Sequence, residues 1–177
     1  YSRPSIEAMI GYVPQEHILF SKSVKDNIAF GKRNATLSDI EQSIETAAFS
    51  EDLKRMPDGL ETLIGERGVS ISGGQKQRIS LARAFIRQPE VLILDDSLSA
   101  VDAQTERRII QNIQQVRANQ TTIIVTHRLS AIQQADWVLV LEDGQIVEEG
   151  TPNQLLNKGG WYAEQYQRQQ HQKGGSK

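Results

Sequence analysis

The sequence predicts an α/β fold, a parallel sheet with crossover helices. Two runs carry that expectation. Val91-Leu92-Ile93-Leu94 is a continuous apolar run of the kind found in a buried parallel strand. Thr121 to Thr126 is a second run, rich in β-branched residues. Helical periodicity fills the stretches before and between them. Strand and helix therefore alternate from Ser72 to Thr126, the pattern of parallel strands joined by crossovers.

The elements follow in order. Ile10 to Val13 is a short apolar strand ended by Pro14, leading into a loop at Gln15. Ser38-Asp39-Ile40-Glu41 has the capping-box pattern, and Ile40, Ile44, Ala47 and Ala48 follow at helical spacing. Ser50 is placed to cap a second short helix, which Pro57-Asp58-Gly59 ends in a turn. Together these make a small helical lobe reaching about Ile64. Ser72 is the expected N-cap of a helix running toward Gln88, with Ile79, Ala82, Phe85 and Ile86 on one face and Pro89 as its stop. Asp102 caps the next helix, whose inner face carries Ile109, Ile110, Ile113 and Val116. Val138 to Leu141, Asp143-Gly144 and Gln145 to Val147 give a hairpin. Thr151-Pro152-Asn153-Gln154 combines a capping box with Pro at the first helical position. A polar helix begins near Trp161, and residues 173–177 are expected to be a disordered tail.

Composition narrows the function. At 177 residues one core is the default. The net charge of -2, from 20 basic and 22 acidic residues, argues against a nucleic-acid partner. The chain has no cysteine, so neither disulfides nor thiolate metal sites are available, which fits a reducing compartment. Apolar runs such as Trp137 to Leu141 fall far short of the ~20 residues a membrane helix needs. No signal peptide is visible, and the opening Tyr1-Ser2-Arg3-Pro4 without an initiator Met is what a fragment would show.

The chemistry concentrates at strand ends and one helix start. Ser72-Gly73-Gly74-Gln75 offers bare backbone N–H groups at a helix N-terminus, where two glycines allow close approach of a phosphate. The plain alternative is an ordinary N-cap with a flexible turn. Asp95 and Asp96 close an apolar strand. Adjacent carboxylates there repel and are disfavoured by burial unless a cation such as Mg²⁺ relieves them; otherwise they are exposed helix caps. His127 ends the second strand and reads either as a satisfied core histidine or as a phosphate contact. Gln15 alone would be an ordinary loop residue. Ligands of open parallel sheets gather beyond the C-terminal strand ends, where Asp95, Asp96 and His127 fall. The set points to nucleotide chemistry. No G-x-x-x-x-G-K-[ST] phosphate loop occurs anywhere in the chain.

These motifs resemble the nucleotide-binding domain of ABC transporters. Ile71-Ser72-Gly73-Gly74-Gln75 resembles the signature, with Ile where Leu is commoner, and Val91 to Asp95 resembles Walker B. Ser99-Ala100-Val101-Asp102 is similar to the D-loop, Val125-Thr126-His127-Arg128 to the H-loop, and Gly11-Tyr12-Val13-Pro14-Gln15 to the Q-loop. Gly65-Glu66-Arg67-Gly68 resembles the X-loop of exporters, and Phe20 to Ile28 has an exporter-like pattern. The motifs come in family order from about Ile10 to Gln170. The nearest resemblance is to one subunit of bacterial heterodimeric multidrug exporters.

The resemblance implies a P-loop NTPase-like α/β fold: residues 1–172 as the C-terminal part of the domain, with a helical signature subdomain over about 34–88. It implies ATP and Mg²⁺ as cofactors, and a head-to-tail pair of domains at the cytoplasmic face of the membrane, attached to a transmembrane domain. In that arrangement Asp95 and Gln15 would meet Mg²⁺. Asp96, His127 and Gln15 would serve hydrolysis. Ser72, Gly73, Gly74 and Gln75, with Asp102, would meet ATP, the signature doing so on the partner's nucleotide. Two departures stand out. The P-loop and early strands are absent, and Asp96 occupies the place of the family's water-activating Glu. The alternatives are a soluble ABC ATPase and a non-catalytic interaction module.

Overall fold

The computed structural model describes residues 3–65 and 68–174. In chain order the elements are α1 (Arg3–Met9), β1 (Ile10–Val13), α2 (Val24–Ala29), α3 (Leu37–Thr46), α4 (Ser50–Lys54), α5 (Gly73–Phe85), β2 (Val91–Asp95), α6 (Ala103–Val116), β3 (Thr121–Val125), β4 (Val138–Glu142), β5 (Gln145–Gly150), α7 (Pro152–Lys158) and α8 (Trp161–Gly174). Within the span expected as one domain the chain divides into two compact units, residues 1–125 and 126–177.

The first unit is built on a parallel sheet of order β1-β2-β3. The helices α5 and α6 are the crossovers, and right-handed crossovers in this order fall on one face. The burial pattern agrees: Val13, Leu92 and Leu94 point into the core, and Val13 pairs with Leu94, which pairs with Ile124. The continuous apolar run of β2 reads as a strand covered on both faces, but only one face is covered. On the other, Tyr12, Ile123 and Val125 are 54%, 46% and 50% exposed.

Local chemistry sets the helix bounds, and in four places the sequence reading needs correction. α3 is capped by Thr36, not Ser38: the Asp39 N–H donates to Thr36 Oγ1 and the Thr36 N–H to Asp39 Oδ2. Both frames spell a capping box, and the ion pair of Lys32 with Asp39 at 2.9 Å supports this one. Ser50 is the first residue of α4 and caps nothing; the cap position is Phe49, held in the core after Ala48 turns through φ +54°. α5 stops at Phe85, short of Gln88, which itself lies in the left-handed region just before Pro89. On α6 the expected inward Val116 is exposed, whereas Glu106 is fully buried.

α2 was not legible in the sequence. Ser23 caps it, and the buried Asn27 binds the Phe20 N–H and carbonyl. Arg83 of α5 donates to the Asn27 and Ile18 carbonyls and lies over the Phe20 ring. These contacts fasten α2 and the loop before it to α5.

In the second unit, Asp143 and Gly144 both take positive φ, as a two-residue hairpin turn requires, and join β4 to β5. Leu129, Val138, Val140, Leu155 and Tyr162 form its core. Thr151 and Gln154 cap α7 reciprocally, with Pro152 opening the helix. Glu148 accepts from the Trp161 and Tyr162 N–H groups at 2.6 and 3.3 Å, so a carboxylate sits on the first turn of α8. α8 takes in residues 173–174 of the expected tail, and 175–177 lie outside the described residues.

One prediction follows from the α3 cap. The Lys32 ammonium beside Asp39, with the Thr36 N–H and hydroxyl, lowers that carboxyl from 3.8 to about 2. Folding therefore favours its charged form. The contribution is complete above the unfolded value and is lost as pH falls through about 2. Asp39→Asn should flatten the acid limb of thermal stability between those values. Melts of the two proteins with identical acid limbs would contradict this.

Candidate functional site

The carboxylate edge is a consequence of strand alternation. Because Leu92 and Leu94 face the core, Ile93 and Asp95 face the other side, and β1 in register places Tyr12 opposite Ile93. The Tyr12 hydroxyl donates to Asp95 Oδ2 at 2.9 Å. That hydrogen bond, then partial desolvation and the nearby charge, push the Tyr12 phenol up. Asp96 leaves the strand with φ +46°, a conformation Asp tolerates better than most residues, while its N–H donates to the Val125 carbonyl at 2.8 Å. Gln15, two residues beyond β1, donates from Nε2 to Asp96 Oδ2 at 3.3 Å. Three predicted residues, Gln15, Asp95 and Asp96, thus converge at the C-terminal edge of β1 and β2.

Tyr12 belongs to this group and was missed as a site residue. The signal was present: period-two alternation puts Tyr12 on the face opposite Val13, the face that Asp95 also takes. Among the described residues no group of three or more His, Cys, Asp or Glu could form an all-protein metal cage. Two adjacent carboxylates at one strand end suit Mg²⁺, which takes one or two carboxylates and completes its shell with water and substrate phosphate.

The signature segment is built as a rigid helix start. Ser72 Oγ accepts from the Gln75 N–H at 3.2 Å, and Gln75 Oε1 accepts from the Ser72 N–H at 2.8 Å. Gln75 Nε2 also donates to Asp52 Oδ1, and Arg78 donates to Asp52 Oδ2 at 2.6 Å and to the Ala48 and Gly74 carbonyls. The Gln75 amide therefore ties α5 to α4. The N–H groups of Gly73 and Gly74 precede the first helical bond, from the Lys76 N–H to the Ser72 carbonyl at 2.9 Å. A Cβ on Gly74 would stand 2.9 Å from the Ala100 carbonyl oxygen, whereas one on Gly73 would meet only the Ala100 Cβ at 3.7 Å. Close approach requires glycine at 74 alone.

The remaining predicted residues are placed as follows. Asp102 accepts from the Gln104 and Thr105 N–H groups and the Thr105 hydroxyl, which together hold its carboxyl below the usual range. It is the N-cap of α6. His127 lies just beyond β3, in the second unit, where its carbonyl accepts from Gln169 Nε2 of α8. In the X-loop-like segment, Glu66 and Arg67 lie outside the described residues, and Gly65 takes φ +104° against Ser21.

A family model described as ABC transporter matches residues 1–99. The chain belongs to the ABC transporter family. It is 58% identical over 165 residues to the probable multidrug resistance ABC transporter ATP-binding/permease protein YheI of Bacillus subtilis (strain 168), covering 93% of this chain and 28% of that protein. It is 41% identical over 171 residues to ATP-binding cassette sub-family B member 6 of Homo sapiens, covering 97% of this chain and 20% of that protein. Among solved structures it matches a bacterial Atm1-family ABC exporter with ATP bound, at TM-score 0.90 and 38% identity, over 95% of this chain and 30% of that one. The chain spans less than a third of each of these ABC proteins. The mixed α/β fold expected from the sequence, and the place of this chain within an ABC nucleotide-binding domain, are thereby shown.

The two signature glycines of this ABC domain yield a contrast. Gly74→Ala drives a methyl into a backbone oxygen and should cost about 1–3 kcal/mol. Gly73→Ala meets only ordinary contact and gains helix propensity, so it should be neutral or stabilising by up to ~1 kcal/mol. Denaturant unfolding of the two variants checks this; equal losses would contradict the assignment.

Proposed function

We propose that this chain is part of the ATP-hydrolysing domain of an exporter of drugs or lipid-like compounds, and that it serves two different sites. Its own carboxylate edge would belong to one. Its signature would complete the site of a partner domain, in a heterodimer at the cytoplasmic face of the membrane, joined to a transmembrane domain. The observation that carries the reading is the convergence of Tyr12, Gln15, Asp95 and Asp96 at one strand edge. Among the described residues no helix is long and apolar enough to cross a membrane, so the membrane part would lie outside this chain.

Mg²⁺, when bound with ATP, would neutralise phosphate charge. Asp95 would hold it, and the Tyr12 hydroxyl would fix which Asp95 oxygen faces outward. Asp96 would accept the proton of a water attacking the γ-phosphorus as the bond to the bridging oxygen breaks. Gln15 would orient that water or the metal and pass nucleotide state to the membrane domain. His127 would steady the γ-phosphate. Ser72, Gly73 and Gly74 would present N–H groups and a hydroxyl to the partner's nucleotide. Gln75 and Asp102 would support that contact indirectly, since their side chains are bound to α4 and α6.

The site is expected to be asymmetric. Asp96 is one methylene shorter than the Glu usual in the family, which withdraws its carboxylate by roughly 1.5 Å. A misplacement of about 1 Å can cost on the order of 10²-fold in rate. The edge holding Asp96 should bind ATP but turn it over slowly, while the signature serves a faster site in a partner that retains Glu. In the full-length pair, Asp96→Glu should raise turnover and Asp96→Asn should change it little. Loss of hydrolysis on Asp96→Asn alone would overturn the asymmetry.

The chain by itself has no phosphate loop, whose backbone and Lys supply most phosphate contacts in this class. Calorimetric titration of the isolated chain with MgATP should therefore show no tight binding. Micromolar affinity would contradict the proposed division of the site.

A further inference from the structure

Gln77 lies in the second turn of α5, is fully buried, and has no part in the site described above. Its Oε1 accepts from the Ala100 N–H at 2.9 Å, and its Nε2 stands 2.9 Å from His17 Nε2. The first bond fixes the amide, because a peptide N–H can only donate. The NH₂ group must then face His17, whose Nε2 accepts. Gly74, one turn earlier on α5, makes the close approach to the Ala100 carbonyl. One face of α5 thus grips the same peptide segment at two successive turns.

The connections matter for where they lead. His17 lies two residues after Gln15. Ala100 lies between Asp96 and Asp102. Gln77 lies two residues after Gln75. We propose that Gln77 is a positioning residue that sets the Gln15 loop and the loop after Asp96 against the signature helix. One side chain then couples the geometry of the chain's own carboxylate edge to that of the signature it offers a partner. This rests on the functional reading above.

A full-length transporter tests it. Gln77→Leu removes both hydrogen bonds at similar volume. It should lower kcat for ATP by about tenfold or more while leaving KM within about twofold, the mark of lost alignment with binding intact. It should also speed amide exchange at Ala100 without nucleotide. Gln77→Glu is the conservative rescue: one oxygen accepts from Ala100, the other from His17 once Nε2 carries the proton. It should restore kcat, and should fail to do so in a His17→Phe background, which removes that proton. A misfolded Gln77→Leu protein leaves the contrast between Gln77→Glu with and without His17 to decide. Wild-type kcat in a folded Gln77→Leu protein, or in the Gln77→Glu, His17→Phe double variant, overturns the positioning role alone. A wild-type protein that hydrolyses no ATP overturns the functional reading itself.

Discussion

Strand β2 constrains everything around the site. It is hydrogen-bonded on both sides, with Leu92 paired to Gly11 and Thr122, and Leu94 to Val13 and Ile124. Both leucines are buried under the crossover helices, so the alternation of the strand is fixed by apolar burial. A slip of one residue would turn Asp95 into that core as an uncompensated charge and expose Leu94. Apolar packing on one face therefore decides where the carboxylates stand on the other. Tyr12 and Gln15 reach them because β1 shares the register.

The second constraint is the contact of α5 with the segment after β2. α5 is both a crossover of the sheet and the carrier of the signature. Gly74 lets its first turn come close to Ala100, and Asp52 holds Gln75 and Arg78 from the helical lobe. The helix start is thus fixed from two directions. Such preorganisation is what the proposed phosphate contact would require, since donors already in place cost no reorganisation.

Much of this was legible in the sequence because short-range rules suffice for it. Val91 to Leu94, Thr121 to Val125, the Asp143-Gly144 turn and the caps at Ser72, Asp102 and Thr151 each follow from a few neighbouring residues. What escaped depends on contacts across the chain. α2 has only six residues, and the contacts of its Asn27 with Arg83 span 56 residues. Thr36 prevails over Ser38 with support from Lys32, a residue outside either box. The Gln75 amide is held by Asp52, 23 residues away; sequence gives the residue type, not its partner. The open face of β2 was likewise invisible, because an apolar run does not say how many layers cover it.

The most direct test of the account is where the metal sits. Bound Mn²⁺ in the full-length protein with ATP can be counted by electron paramagnetic resonance. The account predicts that Asp95→Asn loses the ion held at this chain's own carboxylate edge, while Tyr12→Phe keeps it with a changed ligand signature. Unaltered Mn²⁺ stoichiometry and spectrum in Asp95→Asn would contradict it.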